Sequence, residues 1–335
     1  MPLSTIATAL KRKAEWLHDV DATSGGHADI IDFISCLLSG RKCQVRNVAL
    51  SGVGPRPLSD MALLASSLKS NERLESLSLG NNFFNHEGCL ALSSAIGIHP
   101  SLCTLALEHN PIGDKGVAAL CDAIEATSSL RHVSLSFVGA GQHTCEALTH
   151  AIERGVKLQT VDLGGNLISP DGAETLAQCL THENCSLRSL NLSANHRLGS
   201  GGALALISAL TIQSCPLENL ALAGCGVGPS PCGRIGVALS RAPRLLKLDL
   251  SYNQLGDFGA WDLAWSLAES TTRLSTLLLR SNDIEDDGAA ELCTMLRQNS
   301  SITFLDLSGN QLDCASEKFF ESDSRIYVGF QSKFR

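Results

Sequence analysis

The sequence predicts an α/β solenoid, right-handed and horseshoe-shaped, with an inner parallel β-sheet, outer helices and a cap at each end. Three observations predict it. An apolar signature recurs ten times, its first residue falling at Val45, Leu74, Leu102, Leu130, Leu158, Leu187, Leu217, Leu245, Leu274 and Ile302. Successive copies are spaced by 28 to 30 residues. One turn position holds Asn in seven copies, at 82, 110, 166, 195, 253, 282 and 310. A period of this length marks stacked units, each burying its apolar face only against its neighbours. A stack cut in its middle is therefore expected to expose apolar surface and aggregate.

The unit from Leu245 to Arg273 justifies each element in order. Leu248 and Leu250 alternate with polar residues, the pattern of a short strand. Asn253 follows, a residue that hydrogen-bonds backbone groups a turn leaves unpaired. Gly256-Asp-Phe-Gly259 is a helix start, with Asp257 as its expected N-cap. Leu263, Ala264 and Leu267 then recur at helical spacing. Identical strands in register make one parallel sheet. A helix is wider than the spacing between paired strands, so the stack curves with strands inside.

The ends break the pattern. Residues 1–41 read as an N-terminal helical cap, 42–315 as ten repeats, and 316–335 as a C-terminal cap and tail. Ile6, Leu10, Ala14 and Leu17 lie at helical spacing around Lys11-Arg12-Lys13. Glu15, Asp19 and Asp21 follow, and a second apolar helix from Ile30 to Leu38 ends at Gly40, which favours a cap over a mitochondrial presequence. Phe319, Phe320, Ile326, Tyr327, Val328 and Phe330 are expected to close the last core, with a basic tip at Lys333 and Arg335.

The Leu-x-x-Leu-x-Leu-x-x-Asn-x-Leu strand motif, the later Gly and the Leu-Ala-x-x-Leu helix resemble the ribonuclease-inhibitor-like class of leucine-rich repeats. The resemblance covers roughly residues 42 to 315. It implies the fold strongly and function weakly, because fold and function are separable. Proteins sharing this repeat class include ribonuclease inhibitor, sensor regions of NOD-like receptors, dynein-regulatory subunits of cilia and the GTPase-activating protein of Ran. The resemblance implies a non-catalytic scaffold for one or more protein partners, as a subunit of a cytoskeletal or ciliary assembly. Similarity to the Ran-type activator implies an alternative. Asn110, within Glu108-His-Asn-Pro-Ile-Gly113, matches that family's Asn, which orients the GTPase glutamine, and Arg56 lies two repeats earlier as its Arg does. Asn110 is equally the repeat's own turn Asn. The basic tip also differs from that family's long acidic tail.

Composition narrows the partners. The 335 residues carry a net charge of −8 and only 4% aromatics. That excludes a sequence-independent nucleic-acid binder, which needs a basic face, and implies an aliphatic core. No apolar run is long enough to span a bilayer as a helix. Of the 13 cysteines, Cys121, Cys179 and Cys293 sit at small-residue helix positions of the repeat and Cys225 in place of the turn Asn, and none has CxxC spacing. They read as buried free thiols in a reducing compartment, the cytosol or cytoskeleton, and no cofactor or metal is implied.

Departures from the consensus point to candidate surfaces. Val53 and Val138 replace the turn Asn, so looser turns are expected there, and Pro55-Arg56-Pro57 interrupts the first loop. Pro229, Pro231 and Gly233 stand where a helix should begin, and His196-Arg197-Leu198 adds a residue; such loops are contact sites or drift. Exposed strand positions are mostly small or polar on the early concave face. Binding anchors are enriched in aromatics and Arg. Leu246, Leu278, Arg280 and Phe304 therefore place a tight contact in the C-terminal third. Trp261 and Trp265 stand at i and i+4, where other repeats carry residues such as Ala118 and Asp122, so their face points outward. They are a partner or dimer contact, or they pack near Val237 and Leu239. For catalysis no nucleophile, phosphate-loop or metal motif exists; His132 and Asp162 on neighbouring strands read as a surface polar pair.

Overall fold

The computed structural model describes residues 19–21, 38, 43–52, 58–124, 128–268, 270, 272–313 and 323–329. The expected helix over residues 6–17, Gly40, the Val53 turn with Arg56, and Phe319, Phe320, Phe330, Lys333 and Arg335 lie outside these residues. The chain forms two compact units, residues 1–166 and 167–335.

In the first unit the strands are β1 (Asp19–Asp21), β2 (Asn47–Ala49), β3 (Ser76–Ser78), β4 (Thr104–Ala106), β5 (His132–Ser134) and β6 (Thr160–Asp162). Each pairs in parallel with the next, so the central residues Val48, Leu77, Leu105, Val133 and Val161 stand in one column. The helices are α1 (Leu58–Ser70), α2 (His86–Gly97), α3 (Asp114–Ala123) and α4 (Gln142–Glu153). In the second unit β7 (Ser189–Asn191), β8 (Asn219–Ala221), β9 (Lys247–Asp249), β10 (Thr276–Leu278), β11 (Phe304–Asp306) and β12 (Ile326–Tyr327) continue the pattern. Its helices are α5 (Pro170–Thr181), α6 (Gly199–Ala209), α7 (Cys232–Leu239), α8 (Gly256–Leu267) and α9 (Asp286–Gln298). Strands β2 to β11 each begin two residues after the first apolar residue of a copy, so ten copies give ten strands. β1 is a further strand, paired with β2 inside the segment read as a helical cap.

The core is aliphatic and fills the space between strands and helices; Leu77, Leu105, Leu248, Leu277 and Leu305 are fully buried. Burying each such side chain contributes about 1.5–3 kcal/mol.

Polar side chains join one copy to the next. Asn110 donates to the carbonyls of Leu107 (2.8 Å) and, one copy back, Leu79 (2.9 Å). Its Oδ1 accepts from the N–H groups of Asn82 (3.0 Å) and Phe84 (3.1 Å). Asn253 and Asn310 repeat the arrangement. The turn Asn thus fastens the preceding turn as well as its own. This corrects the expectation of a loose turn at Val138. The N–H groups of Val138, Gly139 and Ala140 all reach Asn166 Oδ1 at 3.0–3.1 Å, so the next copy closes the turn. Cys225 also substitutes well for Asn, its thiol donating to Leu192 O at 3.1 Å.

A second ladder runs along the helix ends. Asn71 accepts from Leu74 N–H, His99 Nδ1 from Leu102 N–H, Ser128 from Leu130 N–H and Asn299 from Ile302 N–H. Asn71 and Asn299 also donate back to Leu38 O and Leu267 O.

The helix starts hold a third device. Asp257 does not cap its own helix, which begins one residue earlier at Gly256. Already inside the first turn, it accepts from Glu285 N–H (2.7 Å) and Gly288 N–H (3.1 Å) at the start of α9. Asp114 does the same for α4. Asn85 and Ser169 are the ordinary caps of α2 and α5.

β12 and its flank finish the second unit. Ile326 and Val328 are buried, as expected of a closing segment, but Tyr327 between them is 51% exposed because strand side chains alternate. Arg325 grips Asp323 with two hydrogen bonds (2.9 and 2.6 Å) and donates to Leu296 O at the end of α9. The pairing with Asp323 holds that carboxyl below its ordinary range.

Candidate interaction surfaces

On the strand side of the second unit, alternation points every second residue away from the core. Leu278 and Phe304 occupy these positions on β10 and β11; Leu278 stands in register between Asp249 and Asp306, and Phe304 beside Thr276, whose other neighbour is Lys247. The Phe304 and Tyr327 rings stack at 6.4 Å and 22°. In the adjoining turns, the Arg280 guanidinium lies 5.5 Å from the centre of the exposed Tyr252 ring. Leu246, at the entry to β9, is half-buried. The structure thus brings Leu278, Arg280 and Phe304 of the sequence candidates onto one strand side and adds Tyr252 and Tyr327. Tyr327 was legible in the alternation Ile326-Tyr327-Val328.

Tyr252 was legible only with backbone angles. The residue before the turn-Asn position is left-handed in each copy, whether that position holds Asn, Cys225 or Val138: Gly165 (φ 64°), Gly224 (φ 63°) and Gly309 (φ 72°) are the cheap choices, but Tyr252 (φ 55°), Phe137 (φ 55°) and His109 (φ 56°) are not. A left-handed non-glycine costs about 1 kcal/mol. In the first unit His109 and Phe137 stack at 4.6 Å and 8°, and Phe83, one residue after the turn Asn82, is exposed. The early copies therefore carry an aromatic edge that the strand positions alone do not reveal.

On the helical side Trp261 and Trp265 are 55% and 81% exposed, and Phe258 is 78% exposed. The three lie at i, i+3 and i+7 along one face of α8. Leu239 is buried, whereas Val237 is half-exposed and lines a groove with Trp265. That groove, about 580 Å³, lies among α6, α7 and α8 with Leu204, Arg234 and Arg241 on its walls. Its origin is local. Pro229 and Pro231 delay α7, leaving eight residues. Gly236 lets α7 close on α8, since a Cβ there would meet the Ser266 side chain at 2.4 Å. A second groove of about 420 Å³ lies between α8 and α9, lined by Phe258, Trp261, Asp287 and Glu291.

Asn110 is buried, and its carboxamide is spent on the turn ladder, leaving none to orient a partner's glutamine. Its companion Arg56 lies outside the described residues. His132 pairs in register with Thr160 and Asp162 with Ser134, so the two are offset by two positions, and Asp162 Oδ1 accepts Gly164 N–H at 2.8 Å. Among the described residues no cluster of three or more His, Cys, Asp or Glu could hold a metal. None of the described helices is long and apolar enough to cross a membrane.

Nine of the eleven described cysteines are buried, and none is in a disulfide. Burial pushes the thiols of Cys89, Cys121, Cys145 and Cys232 up to about 12 and those of Cys225 and Cys293 up to about 11. They are protonated packing groups rather than nucleophiles.

A family model described as Leucine Rich repeat matches residues 99–121, 156–177, 183–206, 243–264, 272–293 and 298–313. Ribonuclease inhibitor of Sus scrofa is 32% identical over 154 residues, 46% of this chain and 33% of the inhibitor. NACHT, LRR and PYD domains-containing protein 12 of Homo sapiens is 33% identical over 183 residues, 46% of this chain and 17% of that protein. The match thus spans a third or less of the length of these relatives. Among solved structures, a chain of the Rad7 and Elc1 complex in yeast superposes with a TM-score of 0.58 at 15% identity, covering 99% of this chain and 86% of that one. The leucine-rich repeat-containing protein LegL7 from Legionella pneumophila gives 0.53 at 15% identity, covering 92% and 99%. At such identity these two show the fold alone.

Proposed function

We propose that this chain, a leucine-rich-repeat protein of the ribonuclease-inhibitor-like class, is a non-catalytic scaffold that binds a protein on the strand side of its second unit. One observation carries the reading. Tyr252, Arg280, Phe304 and Tyr327 are exposed together on adjoining copies, at positions where most other copies carry small or polar residues, with Phe137 and His109 at the Tyr252 position and Leu278 at the Tyr327 position as the exceptions. Tyr and Arg anchor interfaces because they bring large contact area and a directed polar group at modest entropic cost. The two pairs, Phe304 on Tyr327 and Arg280 on Tyr252, already restrain each other's rotamers, which lowers the ordering cost of binding.

The partner is a protein. Nucleic acid is disfavoured by the net charge of −8. The cap at 1–41, the ten repeats at 42–315 and the closing segment at 316–335 belong to this reading, with β1 as a strand inside the first. Placement in the cytosol, as a subunit of a cytoskeletal or ciliary assembly, rests on the repeat class and the thiol content alone.

The test is affinity purification from the protein's own cells, beside a Leu278→Ser/Phe304→Ser variant that keeps its fold by circular dichroism. The proposal expects a stoichiometric protein that the variant loses. Recovery of the same protein by the variant would remove the strand side as the working surface.

A further inference from the structure

We propose that the groove between α8 and α9 is a second docking site, which receives an arginine- or lysine-bearing segment of a protein partner. The inference rests on the scaffold reading but uses the opposite side of the second unit.

The groove has an aromatic wall on one helix and an acidic wall on the other. Phe258 and Trp261 stand on α8, and Asp287 and Glu291 on α9. Asp257 also lines it, its carboxylate engaged by the N–H groups of Glu285 and Gly288. None of the lining residues is basic. Asp287 and Glu291 are four residues apart, on one helical ridge, and make no hydrogen bond or ion pair among the described residues. Like charges so placed weaken a helix, and a cation between them reverses the sign. A cation over an indole face gains further attraction from the ring quadrupole. The groove of about 420 Å³ has room for such a side chain.

The charge selects the occupant. A membrane surface and a nucleic acid are anionic and are repelled by Asp287 and Glu291. A second copy of this chain carries net charge −8 and brings an excess of acid. A cationic protein segment satisfies both the carboxylates and the aromatic rings. Trp265 stands one turn along the same stripe, beside Arg234, Arg241 and Asp262, so apolar residues of the segment next to its cation extend toward the neighbouring groove.

The test uses the full chain and a labelled helical peptide of leucine and arginine, with a leucine–glutamate peptide as counterpart, read by fluorescence anisotropy. Trp261→Ser and Asp287→Asn/Glu291→Gln are each expected to weaken the arginine peptide about tenfold or more. Asp171→Asn/Glu174→Gln, on α5, removes the same charge elsewhere and is expected to leave it unchanged. The glutamate peptide is expected not to bind. The inference is overturned if the arginine peptide fails to bind, binds all variants alike, or weakens equally with the α5 change. It is also overturned if sedimentation shows a dimer of the chain that Trp261→Ser dissociates. A cellular partner lost by Leu278→Ser/Phe304→Ser but kept by Trp261→Ser, together with no peptide binding, overturns this site while leaving the scaffold reading standing.

Discussion

The Asp114 carboxylate accepts both the N–H (2.8 Å) and the hydroxyl (2.7 Å) of Thr144, thirty residues ahead in the next copy. It also accepts the N–H groups of Gly141 and His143. A negative charge is thereby placed at the start of α4, where unpaired N–H groups and the helix dipole favour it. The same device recurs between Asp257 and α9. The helix starts are thus stitched from copy to copy, as the turns are by Asn.

Asp114→Ala is expected to destabilise the fold by about 1–2 kcal/mol, as loss of a helix cap does. Burial raises the Asp114 pKa, but the hydrogen bonds from Thr144, His143 and the backbone outweigh it, so the net direction is down. A carboxyl depressed in the fold stabilises above its unfolded pKa, and this contribution is lost as pH falls through the folded value. Denaturation midpoints measured below pH 4 are therefore expected to fall less steeply in Asp114→Ala than in the wild type. Equal slopes would contradict this account of the cap.

His99 offers a separate handle. Burial lowers its pKa, and Nδ1 accepts the Leu102 N–H only while unprotonated. Below pH 6.5 the unfolded chain takes up a proton that the fold resists, so stability falls with pH in that window. His99→Asn copies Asn71 and Asn299 at the corresponding helix ends. It is expected to keep the fold at pH 8 and to reduce the decline between pH 7 and pH 5, measured by thermal unfolding; an unchanged decline would place the proton elsewhere.

The buried thiols act at the other end of the scale. Their ordinary pKa is 9.0, and burial pushes four of them up to about 12. The unfolded chain loses protons above pH 9 that the fold retains, so stability is present below pH 9 and declines as pH rises through about 12. Cys89→Ala/Cys121→Ala is expected to flatten this alkaline decline. With Cys36 and Cys314 replaced by serine, rapid labelling of the native protein is expected at Cys103 and Cys185 only, both half-buried.

Tyr252 separates folding from binding. Tyr252→Gly relieves left-handed strain of about 1 kcal/mol and gives back a similar amount through a freer unfolded chain and the lost Arg280 contact. A midpoint near that of the wild type is expected, with weaker retention of the partner. A large loss of stability would mean that the ring holds the fold instead.

The repeat was legible because its signal is tenfold redundant: one apolar period fixed each strand from β2 to β11. β1 was hidden because a strand of three residues, Asp-Val-Asp, has no alternation to distinguish it from a helix flank. The closure of the Val138 turn was hidden for a different reason. Its hydrogen bonds come from Asn166, 28 residues away, so the residue at 138 says little about them. The outward face of Trp261 and Trp265 followed from comparing copies. The flanking acids of α9 belong to another copy, and only packing brings them beside Trp261. Tyr252 and Phe137 needed the knowledge that their position is left-handed.

The central claim is that the strand side of the second unit carries the partner. Hydrogen exchange of the full chain, alone and in the complex recovered from cells, tests it most directly. Added protection is predicted in the segments 245–254, 274–282, 302–310 and 325–328, around Tyr252, Arg280, Phe304 and Tyr327. Unchanged exchange in all four segments, with new protection elsewhere in the chain, would contradict it.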